Sequence, residues 1–142
     1  MPKKTLDIES IQQINLFAKI TGVRAMNCFD YANSKIFVVD GRMLKKAMGK
    51  KYSNLRKLSA FLKKKVKIIK SPNTGIPGEM ERFIKYIVYP LNFKSLKNEN
   101  GNVTITAGTQ SKASLIGRDH LKINQLLEIV KQYFEIKTIR II

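Results

Sequence analysis

Met48-Gly49-Lys50-Lys51-Tyr52-Ser53-Asn54-Leu55 is the stretch on which the fold turns, and Leu115-Ile116-Gly117-Arg118-Asp119-His120-Leu121-Lys122 is its counterpart. The two glycines, Gly49 and Gly117, stand 68 residues apart. Each is isolated between two segments of helical periodicity and is followed by a cation. Arg42–Met48 predicts a brief helix before the first glycine; after it, Leu55, Leu58 and Leu62 recur at helical spacing behind Ser53, a predicted N-cap. Around the second glycine, Gln110–Ile116 predicts a short helix, and Ile123, Leu126, Leu127, Val130 and Phe134 mark a longer one.

Working outward, both flanks spell the same order of elements. In the first half, Ile8, Ile11, Ile14 and Phe17-Ala18 predict a helix capped by Asp7 and ended near Gly22. Val23–Tyr31 and Lys35–Asp40 read as a hairpin across Ala32-Asn33-Ser34, and Val66–Ile69 alternates as a strand. In the second half, Gly78–Tyr89 is a helix with Met80, Phe83, Ile84 and Ile87 as its apolar stripe, ended by Pro90. Asn92–Lys97 and Asn102–Ala107 flank Asn98-Glu99-Asn100-Gly101, whose Asn-Gly pair signals a hairpin turn, and Glu135–Ile141 closes the half as a strand. Each half therefore reads α-β-β-α-α-β, an internal repeat whose closing strands begin near Val66 and Ile136. The expected fold class is α+β: two tandem modules, each a three-stranded sheet covered by helices on one face. Ser71–Gly78 holds two prolines and two glycines, which forbids a regular helix or central strand. The expected organisation is a first module over 1–71, a linker over 72–78 and a second module over 79–142.

The composition, 44% hydrophobic in 142 residues, supports a folded core. Lys or Arg breaks every apolar run well short of the roughly 18 to 20 residues of a membrane span. The start, Met1-Pro2-Lys3-Lys4-Thr5-Leu6-Asp7, offers no apolar stretch and no small-residue cleavage site, so a soluble cytoplasmic protein is expected. Cys28 and His120 are each the sole residue of their type, which leaves no intrachain disulfide and no thiolate or histidine cluster. No metal and no cofactor are expected, and Cys28 reads as a buried structural thiol.

Charge is the informative quantity. The chain carries 27 Lys+Arg against 10 Asp+Glu, a net +17. Between Asp40 and Glu79 there is no acidic residue, and residues 1–78 alone hold a net +13 against +4 for 79–142. Ordinary surfaces mix both signs, so a one-sided field of this size points to a polyanionic partner met mainly by the first half.

The glycine turns suit that partner. Such a turn aims the amide N–H groups and positive end of the following helix at an anion, and glycine lets a phosphate backbone approach closely. Both halves resemble the type II KH module, whose GXXG loop joins its second and third helices and clamps single-stranded nucleic acid. The pair of modules, ending in Tyr133-Phe134-Glu135-Ile136-Lys137-Thr138-Ile139-Arg140-Ile141, is similar over nearly the whole chain to the archaeal NusA-like transcription factors. That family expects a form close to I-G-K-x-G-x-N-I at each loop, which Gly49-Lys50 with Asn54-Leu55, and Ile116-Gly117-Arg118, match in part. The resemblance implies binding of single-stranded RNA and a role in transcription elongation or termination, with RNA polymerase as a second partner. It assigns RNA contact to Gly49, Lys50, Lys51, Tyr52 and Asn54 in the first loop and to Gly117, Arg118, His120 and Lys122 in the second. Lys45, Lys46, Arg56 and Lys57 are expected to position phosphates without reading sequence. Leu55, Ile68, Ile123 and Ile139 are candidate groove floor.

Two departures bear on this. Tyr52 and His120 stand where the second glycine of GXXG belongs, and a bulky residue there either obstructs phosphate or shifts the backbone, since glycine tolerates positive φ and others do so poorly. Their rings could instead stack on a base. Asp119 sets a negative charge in the second loop, which marks that loop as the weaker binder. Two alternatives share the fold and the basicity: a KH scaffold that docks on RNA polymerase without binding RNA, and a KH protein of ribosome assembly. An enzyme is not expected, because the chain has no GxxxxGK[ST], no paired histidines and no CxxC, and adjacency of Asp119 and His120 does not make a triad. Neither a small-molecule substrate nor a membrane partner is expected.

Overall fold

The computed structural model describes residues 8–142, so the N-cap assigned to Asp7 lies outside the described residues. The chain divides into two compact units, one ending at Ser71 and the other beginning at Pro72. The first contains α1 (Ile8–Thr21), β1 (Asn27–Tyr31), β2 (Ser34–Val39), α2 (Leu44–Met48), α3 (Ser53–Leu62) and β3 (Lys65–Lys70). The second contains α4 (Glu79–Val88), β4 (Ser95–Glu99), β5 (Asn102–Thr106), α5 (Thr109–Ile116), α6 (Leu121–Lys131) and β6 (Thr138–Ile141). The protein is thus α+β, with the order α-β-β-α-α-β in each unit.

Each unit has one three-stranded sheet with its second strand in the centre. β2 pairs antiparallel with β1 and parallel with β3, and β5 pairs in the same two senses with β4 and β6. The parallel pairing obliges the chain to cross over between β2 and β3, and the α2–α3 turn is that crossover.

Helices pack on one face of the first sheet. Phe17 of α1 stacks on Phe37 of β2, with ring centroids 4.6 Å apart. Ile14, Cys28, Val39, Leu58, Val66 and Ile68 complete that core, and Cys28 is buried as a small apolar residue. Ile36 and Val38, which alternate with Phe37 and Val39, are also fully buried, so β2 is buried along its whole length. Within it, the buried Lys35 ammonium is paired with Asp30, whose carboxylate lies 2.8 Å away. In the second unit Phe83, Ile84 and Ile87 of α4 are buried with Val103, Leu126, Val130 and Ile139, and Phe83 meets Tyr133 edge-on at 5.0 Å.

Several boundaries differ from the sequence expectation. The hairpin turns are shorter than predicted: Ser34 joins β2, and Asn98 and Glu99 join β4. Only Asn100 and Gly101 remain in the second turn, both at positive φ, as a tight two-residue hairpin demands. The final strand starts at Thr138 rather than Glu135, because Lys137 and Thr138 both donate their N–H to the Gly101 carbonyl at the edge of the turn. The predicted Arg42–Met48 helix is preceded by a 3-10 turn, Gly41–Met43, capped by the Asp40 carboxylate accepting from the Arg42 N–H at 2.9 Å. Ser53 is not a cap. It is the first residue of α3, and Tyr52, in the left-handed region, occupies the cap position without a side-chain bond.

Candidate nucleic-acid interface

The two helix–turn–helix loops have the same backbone. Gly49 and Gly117 have φ of 79° and 77°, each with ψ of 168°, a region essentially closed to residues with a side chain. Two left-handed residues follow in each, Lys51 and Tyr52 at φ 52° and 60°, Asp119 and His120 at 54° and 61°. The same hydrogen bonds close both: Gly49 N–H to the Lys45 carbonyl and Tyr52 N–H to the Gly49 carbonyl, matched by Gly117 to Ala113 and His120 to Gly117. Tyr52 and His120 thus both take the left-handed conformation that glycine adopts most readily.

Each glycine is also required by space. A Cβ on Gly49 would meet the Asn54 and Ser53 side chains at 2.8 Å, and one on Gly117 would meet the Lys122 side chain at 2.8 Å and its amide nitrogen at 3.1 Å. Asn54 and Lys122, equivalent in the repeat, thus sit beneath the glycines. Asn54 also donates from Nδ2 to the Lys46 carbonyl at 3.3 Å, tying α3 to the end of α2. Arg56 turns back on the loop and donates from Nη1 to the Lys51 carbonyl, so its first role is to hold the turn. The amide fan expected at the helix start is partly spent: the N–H groups of Tyr52 and Ser53 bond to the Gly49 and Lys50 carbonyls, as those of His120 and Leu121 do to Gly117 and Arg118.

Side-chain charge distinguishes the loops. Lys45, Lys46, Lys50, Lys51, Arg56 and Lys57 are all exposed around the first loop, together with Tyr52. Among the described residues no ion pair engages these cations. Asp40 is committed instead to Arg42, whose guanidinium holds its carboxyl down at about 2 through two side-chain hydrogen bonds. At the second loop Arg118, Asp119 and His120 are exposed, while the stem of Lys122 packs under Gly117. The residues equivalent to Lys45, Lys46, Arg56 and Lys57 are Ala113, Ser114, Asn124 and Gln125.

The expected groove-floor residues divide. Ile68 is buried in the first core and Ile139 is buried in the second unit, whereas Leu55 and Ile123 are half-buried beside their loops. A cleft of about 630 Å³ lies elsewhere, between Asn100-Gly101 and residues Lys131, Phe134 and Lys137, and contains no residue of the Gly49 or Gly117 turn. Among the described residues no group of three His, Cys, Asp or Glu side chains is placed to hold a metal ion, and no helix is long and apolar enough to cross a membrane.

No family model matches the chain. It is similar over its length to the protein named "Probable transcription termination protein NusA" of Thermoplasma acidophilum: 21% identical over 141 residues, covering 99% of this chain and 97% of that one. Its fold is similar to the crystal structure of the protein APE1850, with a TM-score of 0.65 and 22% identity over 96% of this chain and 100% of that one.

Proposed function

We propose that this chain is a non-enzymatic, single-stranded RNA-binding protein built of two type II KH modules, acting in transcription as a NusA-like factor, with the first loop as its main RNA contact. The observation that carries the reading is the Gly49–Tyr52 turn: a side-chain-free glycine between two helices, held rigid by Asn54 and Arg56, with Lys45, Lys46, Lys50, Lys51 and Lys57 exposed around it. The surrounding ammonium groups supply the attraction for a phosphate backbone that the partly spent amides do not. Bases turned away from those phosphates would meet the exposed Tyr52 ring and the half-buried Leu55. The transcription role rests on the full-length similarity to a protein named for termination. RNA polymerase is the protein partner that this role implies.

Titration of labelled single-stranded RNA, duplex RNA and single-stranded DNA at several salt concentrations tests the reading. Wild type is expected to prefer single-stranded RNA, and Lys50→Asp/Lys51→Asp to bind about a hundredfold more weakly with a shallower salt dependence. Equal binding by the variant, or no preference for single strands, would overturn it.

A further inference from the structure

The outer face of α3 carries an aromatic residue that the core does not use. Phe61 is 67% exposed, in a helix whose Leu58 is fully buried. Lys57 lies one turn before Phe61 on the same face, since residues four apart are neighbours on a helix. Ala60 beside it is exposed and too short to cover the ring. Beyond the helix end, Lys63, Lys64 and Lys65 are exposed, and the Ser59 hydroxyl donates to the Lys64 carbonyl at 2.9 Å, folding this basic segment back against the last turn. The acid that approaches this segment is Asp30, 3.7 Å from Lys64 and already paired with Lys35 at 2.8 Å.

The second unit supplies an internal control. With Gly49 matched to Gly117, the equivalents of Arg56, Lys57, Ala60 and Phe61 are Asn124, Gln125, Glu128 and Ile129, and Ile129 is buried. The same helix in the same fold can therefore place an aliphatic residue inward at this position and needs neither a ring nor cations outside. An exposed ring among exposed cations is instead the pairing that a single-stranded nucleic acid uses, with a base on the ring and phosphates on the cations.

We infer that the α3 face of Lys57 and Phe61, with Lys63–Lys65, is a second RNA subsite that extends the strand held at the first loop, a base stacking on Phe61. This rests on the RNA-binding reading of the Gly49–Tyr52 loop. Nine residues separate Tyr52 from Phe61, about 14 Å along the helix axis, so a strand clamped at the loop reaches the ring only if it continues past the clamp. The subsite therefore adds affinity for long RNA and none for short.

The test compares RNAs of about four nucleotides, the length one KH loop clamps, and about twelve, on wild type, Phe61→Ala and Lys50→Asp/Lys51→Asp. Phe61→Ala is expected to unfold at the wild-type temperature, to bind the short RNA as wild type does, and to bind the long RNA about tenfold more weakly. The chain has no tryptophan, so Phe61→Trp gives a single indole reporter, expected to be quenched by the long RNA and not by the short. If the loop variant loses both RNAs while Phe61→Ala keeps wild-type affinity and the indole emission of Phe61→Trp does not move, the α3 subsite is wrong and the loop reading stands. If the loop variant loses neither RNA, the loop reading fails and the proposed path fails with it.

Discussion

At Gly49 and Gly117 the chain makes the same turn to within a few degrees, closes it with the same two hydrogen bonds and packs a side chain of the following helix beneath the glycine. Around the first turn stand Lys45, Lys46, Lys50, Lys51, Arg56 and Lys57; around the second, the equivalent places hold Ala113, Ser114, Arg118, Asp119, Asn124 and Gln125. The two copies share shape and differ in charge. A backbone fixed by left-handed residues and a half-buried glycine leaves the exposed side chains free to vary, so one loop can concentrate the attraction for phosphate while its copy keeps the same scaffold. On the proposed RNA-binding reading the glycines serve the architecture and the lysines the binding, and each half of that division can be broken separately.

The largest effect is expected on stability. Gly49→Ala and Gly117→Ala each force a side chain into a conformation essentially reserved for glycine and into contact at 2.8 Å, at a cost of about 2–3 kcal/mol. Urea denaturation is expected to show losses of similar size at both positions; a loss confined to one would mean that the two turns do not share a backbone.

Next comes the last residue of each turn. Tyr52→Gly and His120→Gly remove a left-handed non-glycine residue and are expected to leave stability unchanged or raise it by up to about 1 kcal/mol. If the Tyr52 ring stacks on a base, Tyr52→Gly weakens single-stranded RNA about fivefold, a loss of about 1 kcal/mol, and His120→Gly weakens it less. RNA affinity that rises in Tyr52→Gly would show that the ring obstructs the phosphate path.

A pH dependence separates the sheets. Burial, aided by the charge of Lys65, lowers Lys67 from 10.5 to about 8. Between those values the unfolded chain holds a proton that the native chain has released, so stability is expected to rise with pH across that window. Lys67 pairs with Ile36, and the exposed Arg140 pairs with Thr104 at the matching place in the second sheet. Lys67→Met is expected to flatten the rise, and Arg140→Met to leave it, in denaturation midpoints measured from pH 8 to 10.5. A rise that persists in Lys67→Met would place the titrating group elsewhere.

Much of the fold was legible because it rests on local signals repeated twice. Helical periodicity around Leu55 and Leu126, Asn-Gly in the second hairpin and the spacing of Gly49 and Gly117 yield the order of elements without any tertiary information. What was not legible depends on partners distant in sequence. Nothing local says that the Gly101 carbonyl accepts from Lys137 and Thr138 and so delays β6. Ser53 has the chemistry of an N-cap, but the left-handed pair before it moves the cap to Tyr52. At the site, sequence identified which residues are cationic and not where they point: Arg56 reads as a phosphate contact, yet its guanidinium holds the Lys51 carbonyl. The exposure of Phe61 is hidden in sequence for the complementary reason. A phenylalanine in an amphipathic helix reads as core, and only its exposure distinguishes it from Leu58.

A reciprocal exchange at one position of the turn tests the central claim most directly. Lys51→Asp gives the first loop the charge of the second, and Asp119→Lys gives the second the charge of the first, on backbones that already match. Measured by titration with single-stranded RNA over a range of salt, Lys51→Asp is expected to weaken binding about tenfold and to make its salt dependence shallower. Asp119→Lys is expected to strengthen binding and steepen that dependence by about one phosphate contact. Affinities and salt slopes unchanged in both variants would contradict the account, because charge at these turns would then not decide which loop holds RNA.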